Sequence, residues 1–202
     1  MRLPTVIATA VLLTAFSSSS DARKFHLFGG HKPRPVHAVS AAAARAQPQP
    51  VHYQWSLGQA PKAHADLVAE FGKVGLNPGQ YVWASSIPAG ETRVVIDRLT
   101  QMAYVYRGAR LVGAAHVSTA RQGHITPLGQ WSVLEKRPFY RSKKYDNAPM
   151  PWMERIDNYG IALHGGGIPG YPESHGCIHL PMKFAEKLYG LTKIGTNVVI
   201  EG

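Results

Sequence analysis

The spacing of hydrophobic and polar positions changes along the chain, and each change predicts a different kind of element. Apolar residues recur at helical spacing within residues 63–74 and Gly75 follows them, so this segment predicts a short amphipathic helix. From Thr92 onwards apolar positions alternate with polar ones, which is typical of strands. The predicted strands cover residues 93–97, 102–106, 109–118, 130–136, 159–163 and 197–201.

A second helix is predicted between the last two strands. Residues 181–189 begin with Pro181, a residue favoured at the first helical position, and they place Phe184 and Leu188 on one face. Gly190 follows as a stop. We therefore predict a mainly β fold, a small β-sandwich or barrel with one or two short helices.

The N-terminal part of the chain has a different composition. Residues 1–22 combine a positive start, an apolar run and small residues at a cleavage site, which is typical of a secretory signal peptide. An uncleaved membrane anchor is the alternative, although the run is shorter than the ~20 apolar residues that a span needs. Residues 23–62 are basic and rich in Pro and Ala, so they predict a flexible linker. Residues 63–90 then predict a helical lead-in to the main domain at residues 91–202.

The formal net charge of +10 indicates an anionic partner surface. Nucleic acid is one candidate, but an exported chain does not meet most nucleic acid. An acidic cell-wall polymer suits an exported basic protein better. We therefore expect a periplasmic or cell-wall location, no nucleic-acid partner and no stable membrane span after signal cleavage.

The chain contains one cysteine, Cys177, which therefore cannot form an internal disulfide. It is an inert buried thiol, a link to another chain or a nucleophile. Ser174, His175 and Gly176 come just before it and do not build an apolar pocket, so the sequence favours a nucleophile. A nucleophilic thiol needs a base within hydrogen-bond reach, and His164 and His175 are the candidates. We favour His164 because the predicted strand before it would hold its imidazole firmly.

These residues resemble a known active-site motif. His164 and Gly165 are followed, after a spacer, by Ser-His-Gly-Cys-Ile-x-Leu at residues 174–180. This pattern resembles the L,D-transpeptidase catalytic domain of the YkuD-type family of bacterial cell-wall enzymes. The segments 94–97, 104–108, 117–119 and 126–129 follow the order seen in that family, so the resemblance covers about residues 80–202.

The resemblance implies a mechanism. Cys177 attacks the carbonyl of an L-centre to D-alanine peptide bond in a peptidoglycan stem peptide, releases D-alanine and forms a thioester. His164 is the base and acid, oriented by the Gly165 carbonyl, and an acceptor amine then resolves the thioester into a cross-link. The amides of Gly176 and Cys177 would stabilise the oxyanion. The resemblance also implies carbapenem-type inhibitors, no metal or organic cofactor, and a role in cell-wall biogenesis and cell shape.

The chain departs from the family pattern at His179, where the family usually has arginine. Histidine is mostly neutral at pH 7, so another cation such as Arg155 or Lys143 would have to bind a substrate carboxylate. Substrate-binding roles are expected for residues around the thiol and in the long loop 137–158, of which residues 150–153 would wall the cleft. The residues expected to bind substrate are Ser174, His175, Gly176, His179, Met150 and Trp152. A long surface loop with a few core anchors is the alternative for residues 137–158.

Several alternatives remain open from the sequence. His164, His175, Cys177 and His179 could instead bind zinc, although their spacing is not the usual ligand pattern. The chain could be a cell-wall-binding module without turnover, or a cysteine endopeptidase of another family. An L,D-carboxypeptidase or D-amino-acid exchange enzyme would use the same thioester with another acceptor.

Overall fold

The structure is a computed structural model that describes residues 52–202 of the 202-residue chain. This part contains two helices and ten strands. The helices are α1 (Gln59–Phe71) and α2 (Met182–Leu191). The strands are β1 (Tyr81–Trp83), β2 (Thr92–Asp97), β3 (Met102–Arg107), β4 (Arg110–His116), β5 (Gly129–Ser132), β6 (Glu135–Arg137), β7 (Met153–Arg155), β8 (Ala162–Gly165), β9 (Ile178–Leu180) and β10 (Asn197–Glu201).

The strands form two sheets. The larger sheet has the order β1-β4-β3-β2-β10-β5, and all its neighbours are antiparallel except β10, which runs parallel to β2. The smaller sheet has the order β6-β7-β8-β9, with β8 and β9 parallel. The last strand of the chain therefore lies inside the larger sheet, where its backbone is paired on both sides.

The main hydrophobic core joins residues of both sheets. Val94, Val105 and Val198 of the larger sheet belong to one buried cluster with Leu163 and Ile178 of the smaller sheet. Phe184, Ala185 and Leu188 of α2 belong to the same cluster. The prediction of a mainly β, sandwich-like fold with two short helices is confirmed, and neither sheet closes into a barrel.

The larger sheet is buried on its second face as well. Leu67 of α1 packs in a second cluster with Val95, Tyr104 and Tyr106, whose side chains point away from the first core. Strands β2, β3 and β4 are therefore buried on both faces, as their burial patterns show. The sequence predicted that apolar residues alternate with polar or half-exposed ones in residues 93–97 and 102–106, whereas the second cluster buries the other face as well.

Helix α1 differs from its prediction. It begins at Gln59 and not at residue 63, and Gly72 ends it three residues before the predicted stop at Gly75. Val74, which was assigned to the helix, is 81% exposed. The predicted linker 23–62 was therefore too long at its C-terminal end, because its last residues form the first turn of α1.

Other elements also shift. The predicted strand 130–136 is two strands, β5 and β6, that lie in different sheets. The predicted strand 159–163 begins only at Ala162, and His164 lies within it rather than after it. Helix α2 starts after Pro181 and includes Gly190, which was predicted to end it. Strands β1, β7 and β9 were not predicted, since each has only three residues.

The predicted signal peptide at residues 1–22 lies outside the described residues, as does the linker up to residue 51. Within residues 52–202, neither helix has the length and apolar character needed to cross a membrane.

Candidate active site

The parallel pair β8 and β9 brings the predicted site residues to one face of the smaller sheet. His164 lies opposite His179 in the register. Since side chains alternate along a strand, Cys177 shares the face of His179 and Ala162 shares the face of His164. The contacts agree, because Cys177 packs with Ala162 and Met150, while Leu163 and Ile178 face the core between the sheets.

The imidazole of His164 is buried and oriented by one hydrogen bond. Its Nδ1 lies 2.9 Å from the backbone oxygen of Gly165. A carbonyl oxygen only accepts, so Nδ1–H is the donor and the other ring nitrogen, Nε2, is the acceptor. Burial, followed by the neighbouring His179, lowers the pKa of His164 to about 4. His164 is therefore neutral at pH 7.

The thiol of Cys177 is half-buried and protonated at rest. It donates to the backbone oxygen of Gly160, at an S···O distance of 3.7 Å. Burial raises the pKa of Cys177, and a hydrogen bond from the backbone of Ala162 to the sulfur opposes this in part. A preformed thiolate–imidazolium pair is therefore absent from this arrangement, since both groups favour their neutral forms.

The loop before the thiol is closed by short polar contacts. Ser174 Oγ donates to the Cys177 carbonyl at 2.6 Å and accepts the Gly176 N–H at 3.0 Å. Thr126 Oγ1 donates to the Gly176 carbonyl at 2.8 Å. The Gly176 N–H, predicted to stabilise an oxyanion, is thus directed at Ser174. The assignment of this amide to the oxyanion does not fit the structure as it stands.

His175 is exposed and points to a different set of side chains. Its Nε2 lies 2.7 Å from Nη2 of Arg121, and its ring stacks on Tyr145 with centroids 4.5 Å apart. The ring of His124 meets it edge-on at 4.7 Å. Arginine can only donate, so the Nε2 lone pair of His175 is already occupied. This geometry favours His164 over His175 as the base.

His179 packs against His164 and the loop that follows it. The two rings meet edge-on with centroids 4.9 Å apart. Nδ1 of His179 donates to the backbone oxygen of Gly167 at 3.1 Å and lies 3.7 Å from Glu173 Oε1. His179 thus belongs to the site, but its polar contacts are with the protein itself.

The two substrate-binding residues predicted in the long loop, Met150 and Trp152, lie in different clusters. Met150 is 6% exposed and packs beside Cys177. Trp152 packs instead between Phe139 and Tyr189, at centroid distances of 6.1 and 5.4 Å. The structure therefore places Met150 against the thiol and Trp152 in a neighbouring aromatic cluster.

The two cations proposed to replace the usual arginine differ in their surroundings. Arg155 lies opposite Ala162 in the register, on the face of His164 and Cys177, but its guanidinium is paired. Nε of Arg155 donates to Glu135 Oε2 at 2.9 Å, and Nη1 donates to the Asp157 carbonyl at 2.6 Å. Lys143 is exposed on the loop. Within the described part of the chain, no group of three or more His, Cys, Asp and Glu side chains is arranged to hold a metal ion.

The comparisons with known proteins agree with this geometry. A model of the L,D-transpeptidase catalytic domain, YkuD, matches residues 91–200, which is more than half of the chain. The chain belongs to this family. No curated protein matches the sequence of this L,D-transpeptidase domain.

Solved L,D-transpeptidases share the fold. One from Stackebrandtia nassauensis is 26% identical with a TM-score of 0.53, and the match covers 70% of this chain and 67% of that chain. One from Mycobacterium tuberculosis is 21% identical with a TM-score of 0.52, covering 55% and 57%. One from Mycobacterium smegmatis is 19% identical with a TM-score of 0.51, covering 55% and 59%. The chain thus spans less than two thirds of the mycobacterial proteins.

Two residues around the thiol loop of this L,D-transpeptidase domain, Arg121 and His124, were not predicted from the sequence. Both contact His175. The sequence predicted that the turn at Thr126 either lines the cleft or is a plain hairpin turn, and Thr126 donates a hydrogen bond to the Gly176 carbonyl. All three lie about fifty residues before Cys177, and no local pattern links the two segments. The pairing of Arg121 N–H with the Ser174 carbonyl, at 3.0 Å, brings the segments together.

Proposed function

We propose that this domain is a cysteine-dependent peptidoglycan L,D-transpeptidase that acts in the periplasm or cell wall. The observation that carries the proposal is the orientation of His164. Its Nδ1–H is held by the Gly165 carbonyl, so its Nε2 presents a lone pair on the face that also carries Cys177. Family membership supplies the reaction class. The basic charge of the chain suits an anionic polymer.

In the proposed acylation, Cys177 attacks the carbonyl between the L-centre and D-alanine of a stem peptide. His164 Nε2 accepts the thiol proton as the carbon–sulfur bond forms, because both groups are neutral at rest. The tetrahedral intermediate then collapses, its carbon–nitrogen bond breaks, and His164 returns the proton to the leaving D-alanine amine. A thioester on Cys177 results.

In the proposed second half-reaction, an acceptor amine attacks the thioester. His164 takes a proton from that amine, the carbon–sulfur bond breaks, and the proton returns to Cys177. With a stem-peptide amine the product is a cross-link, and with water it is a shortened stem. Of the two amides predicted to stabilise the oxyanion, we assign the Cys177 N–H, since the Gly176 N–H is directed at Ser174.

The site also supports reaction with β-lactams of the carbapenem type, which acylate nucleophiles. The transpeptidase LdtMt1, a neighbour of similar fold that is 16% identical with a TM-score of 0.51, was solved in complex with imipenem. Met150 and the open side of Cys177 provide the apolar wall and the access that an acylating ligand needs.

Intact-mass measurement tests the proposal. The wild type is incubated with imipenem and, separately, with a purified tetrapeptide stem. We expect a covalent adduct with each, and loss of both adducts in Cys177→Ser. We also expect His164→Gln to slow adduct formation roughly 100-fold or more, since general base catalysis contributes about this much. His64→Gln, at an exposed position on α1, is the matched control and should react like the wild type.

An unmodified wild type that remains folded would overturn the proposal. So would an adduct that persists in Cys177→Ser, since another nucleophile would then be at work. Product analysis with and without an acceptor stem distinguishes a cross-linking transferase from a carboxypeptidase.

A further inference from the structure

The site lacks a permanent cation at position 179, and the cations considered from the sequence do not fill the gap. Arg155 is held by Glu135 and by the Asp157 carbonyl. The Nδ1–H of His179 donates to the backbone oxygen of Gly167, and Nδ1 lies 3.7 Å from Glu173 Oε1. The charge of Arg155 is therefore neutralised by Glu135, and His179 carries no permanent charge.

Arg121 is fixed beside the thiol loop by its backbone. Its N–H donates to the Ser174 carbonyl at 3.0 Å, and residue 120 is bonded through its N–H to Thr126 Oγ1, which in turn donates to the Gly176 carbonyl. The segment 118–126 and the segment 174–177 thus form one hydrogen-bonded unit.

The guanidinium of Arg121 has donors to spare. One nitrogen, Nη2, donates to His175 Nε2 at 2.7 Å. A guanidinium carries five N–H donors in a planar fork that matches a carboxylate. Among residues 52–202, no acidic side chain lies within salt-bridge distance of Arg121. Its charge is therefore not neutralised by the domain itself.

The side chains in contact with His175 beside Arg121 are aromatic. His175 stacks on Tyr145, and His124 meets His175 edge-on. Lys144 places its ammonium 5.5 Å from the centre of the Tyr145 ring. Desolvation lowers the pKa of His175, and the neighbouring Arg121 and His124 lower it further. The ring is therefore a neutral acceptor for the guanidinium. Arg121 and His175 are thus exposed beside an aromatic ring, while the carboxylate of Glu173 faces His179.

We propose that Arg121 is a carboxylate-binding residue that holds a free carboxylate of the peptide donor at the rim of the Cys177 site. It supplies the charge that an arginine at position 179 would otherwise provide. His175 positions the guanidinium by accepting one of its N–H groups, and the remaining N–H groups face the ligand. This inference rests on the proposed transpeptidase function.

Steady-state kinetics with matched donors test it. Three tetrapeptide stems are compared. The first has all carboxylates free. The second is amidated at the C-terminal carboxylate of D-alanine, and the third at the side-chain carboxylate of the residue whose main-chain carbonyl is attacked. In Arg121→Gln we expect KM for the free donor to rise roughly 10- to 100-fold, the range for a hydrogen bond to a charged group. For one of the two amidated donors, we expect the wild type and Arg121→Gln to have the same KM.

Two further variants sharpen the test. Arg121→Lys keeps the charge without the fork and should fall between the wild type and Arg121→Gln. Arg110→Gln removes one exposed arginine from the far end of β4, where it pairs with Glu70, and should leave KM unchanged. This control shows that the loss of one positive charge is not by itself the cause.

Two results would overturn the inference. One is an equal loss of kcat/KM for all three donors in Arg121→Gln, which would assign Arg121 to positioning His175 alone. The other is an unchanged KM in Arg121→Gln. In both cases the wild type would still form the Cys177 adduct. A wild type that forms no adduct with any donor would instead reject the proposed function.

Discussion

At the scale of single residues, Gly176 shows how tightly the thiol loop is built. Its φ is 134°, a region that favours glycine, and an added Cβ would lie 2.5 Å from Ile161 Cδ1 and 3.0 Å from the backbone oxygen of Ile125. The oxygen belongs to the segment that also carries Thr126. A side chain at position 176 would therefore push apart the two segments that hold Arg121 and Cys177 together.

We predict that Gly176→Ala lowers the free energy of unfolding by roughly 2–5 kcal/mol, because backbone strain and overpacking add. Gly123→Ala is the matched control. Its φ is 82°, yet an added Cβ would meet no atom within 4 Å, so only the strain of about 1–2 kcal/mol applies. Urea unfolding measures both. Equal losses in the two variants would show that the contact with Ile161 is unimportant.

Single residues differ in how far the sequence predicts their roles. Cys177 and His164 were predicted as nucleophile and base because both lie within one short stretch with specific neighbours. A role for Arg121 was not predicted, because its link to His175 spans 54 residues and exists only after folding. The protonation of the site was also not predictable, since burial sets the pKa values of His164 and Cys177.

At the scale of elements, helix α1 is capped by a residue from the other end of the chain. The helix has Gly58 at its N-cap and no capping side chain of its own. Glu201 of β10 accepts the backbone N–H groups of Leu57, Gln59 and Ala60 at 2.8–3.0 Å, and the hydroxyl of Ser56 at 2.8 Å. A carboxylate at a helix N-terminus is also favoured by the helix dipole.

We predict that Glu201→Gln lowers the free energy of unfolding by roughly 3 kcal/mol or more. The amide nitrogen would face donors where a carboxylate oxygen now accepts, and buried N–H groups would lose their partner. Glu70→Gln is the control, because Glu70 makes an exposed ion pair with Arg110 worth at most about 1 kcal/mol. Hydrogen exchange of the α1 amides, together with urea unfolding, measures both. Unchanged exchange in Glu201→Gln would contradict this account of the cap.

At the scale of the whole molecule, two buried carboxyl groups act in opposite directions with pH. Burial raises the pKa of Glu154 from 4.5 to about 7, although Lys136 and a hydrogen bond from Thr192 oppose the shift. Its second carboxyl oxygen has no hydrogen-bond partner within the described residues. The pKa of Glu201 shifts in the opposite direction. Desolvation raises this pKa, but the four hydrogen bonds lower it by more, so the pKa lies below its usual value.

The sign of each effect follows from proton binding. The folded state binds the Glu154 proton more tightly than the unfolded state, so stability falls as the pH rises from about 4.5 to about 7. The folded state binds the Glu201 proton more weakly, so its contribution is present above pH 4.5 and is lost as the pH falls below it. His164 opposes Glu154 over much of this range, because its pKa is lowered to about 4 and the folded state binds its proton more weakly than the unfolded state. We therefore predict that removal of the Glu154 carboxyl raises the stability above pH 5 relative to the wild type.

Urea unfolding from pH 3 to pH 8 tests this prediction. The free energy of unfolding of Glu154→Gln should rise relative to that of the wild type by roughly 1–3 kcal/mol between pH 5 and pH 8, and both proteins should keep the loss in acid. Glu186→Gln, at an exposed ion pair on α2, should follow the wild type. A constant difference between Glu154→Gln and the wild type from pH 5 to pH 8 would contradict the raised pKa of Glu154.

The sequence by itself determined the mainly β character, the strands near residues 92–107 and the last strand β10, and it predicted His164 and Cys177 as the catalytic pair. These features depend on the local alternation of apolar residues and on residue spacing within a short segment, and both can be read directly from the sequence.

Only the tertiary structure decided the rest. It divided residues 130–136 between two sheets, buried β2, β3 and β4 on both faces, capped α1 with Glu201 and joined Arg121 to His175. Each of these features is a contact between segments far apart in the chain. Its energy depends on burial and on the partner that folding supplies, so no local pattern carries it.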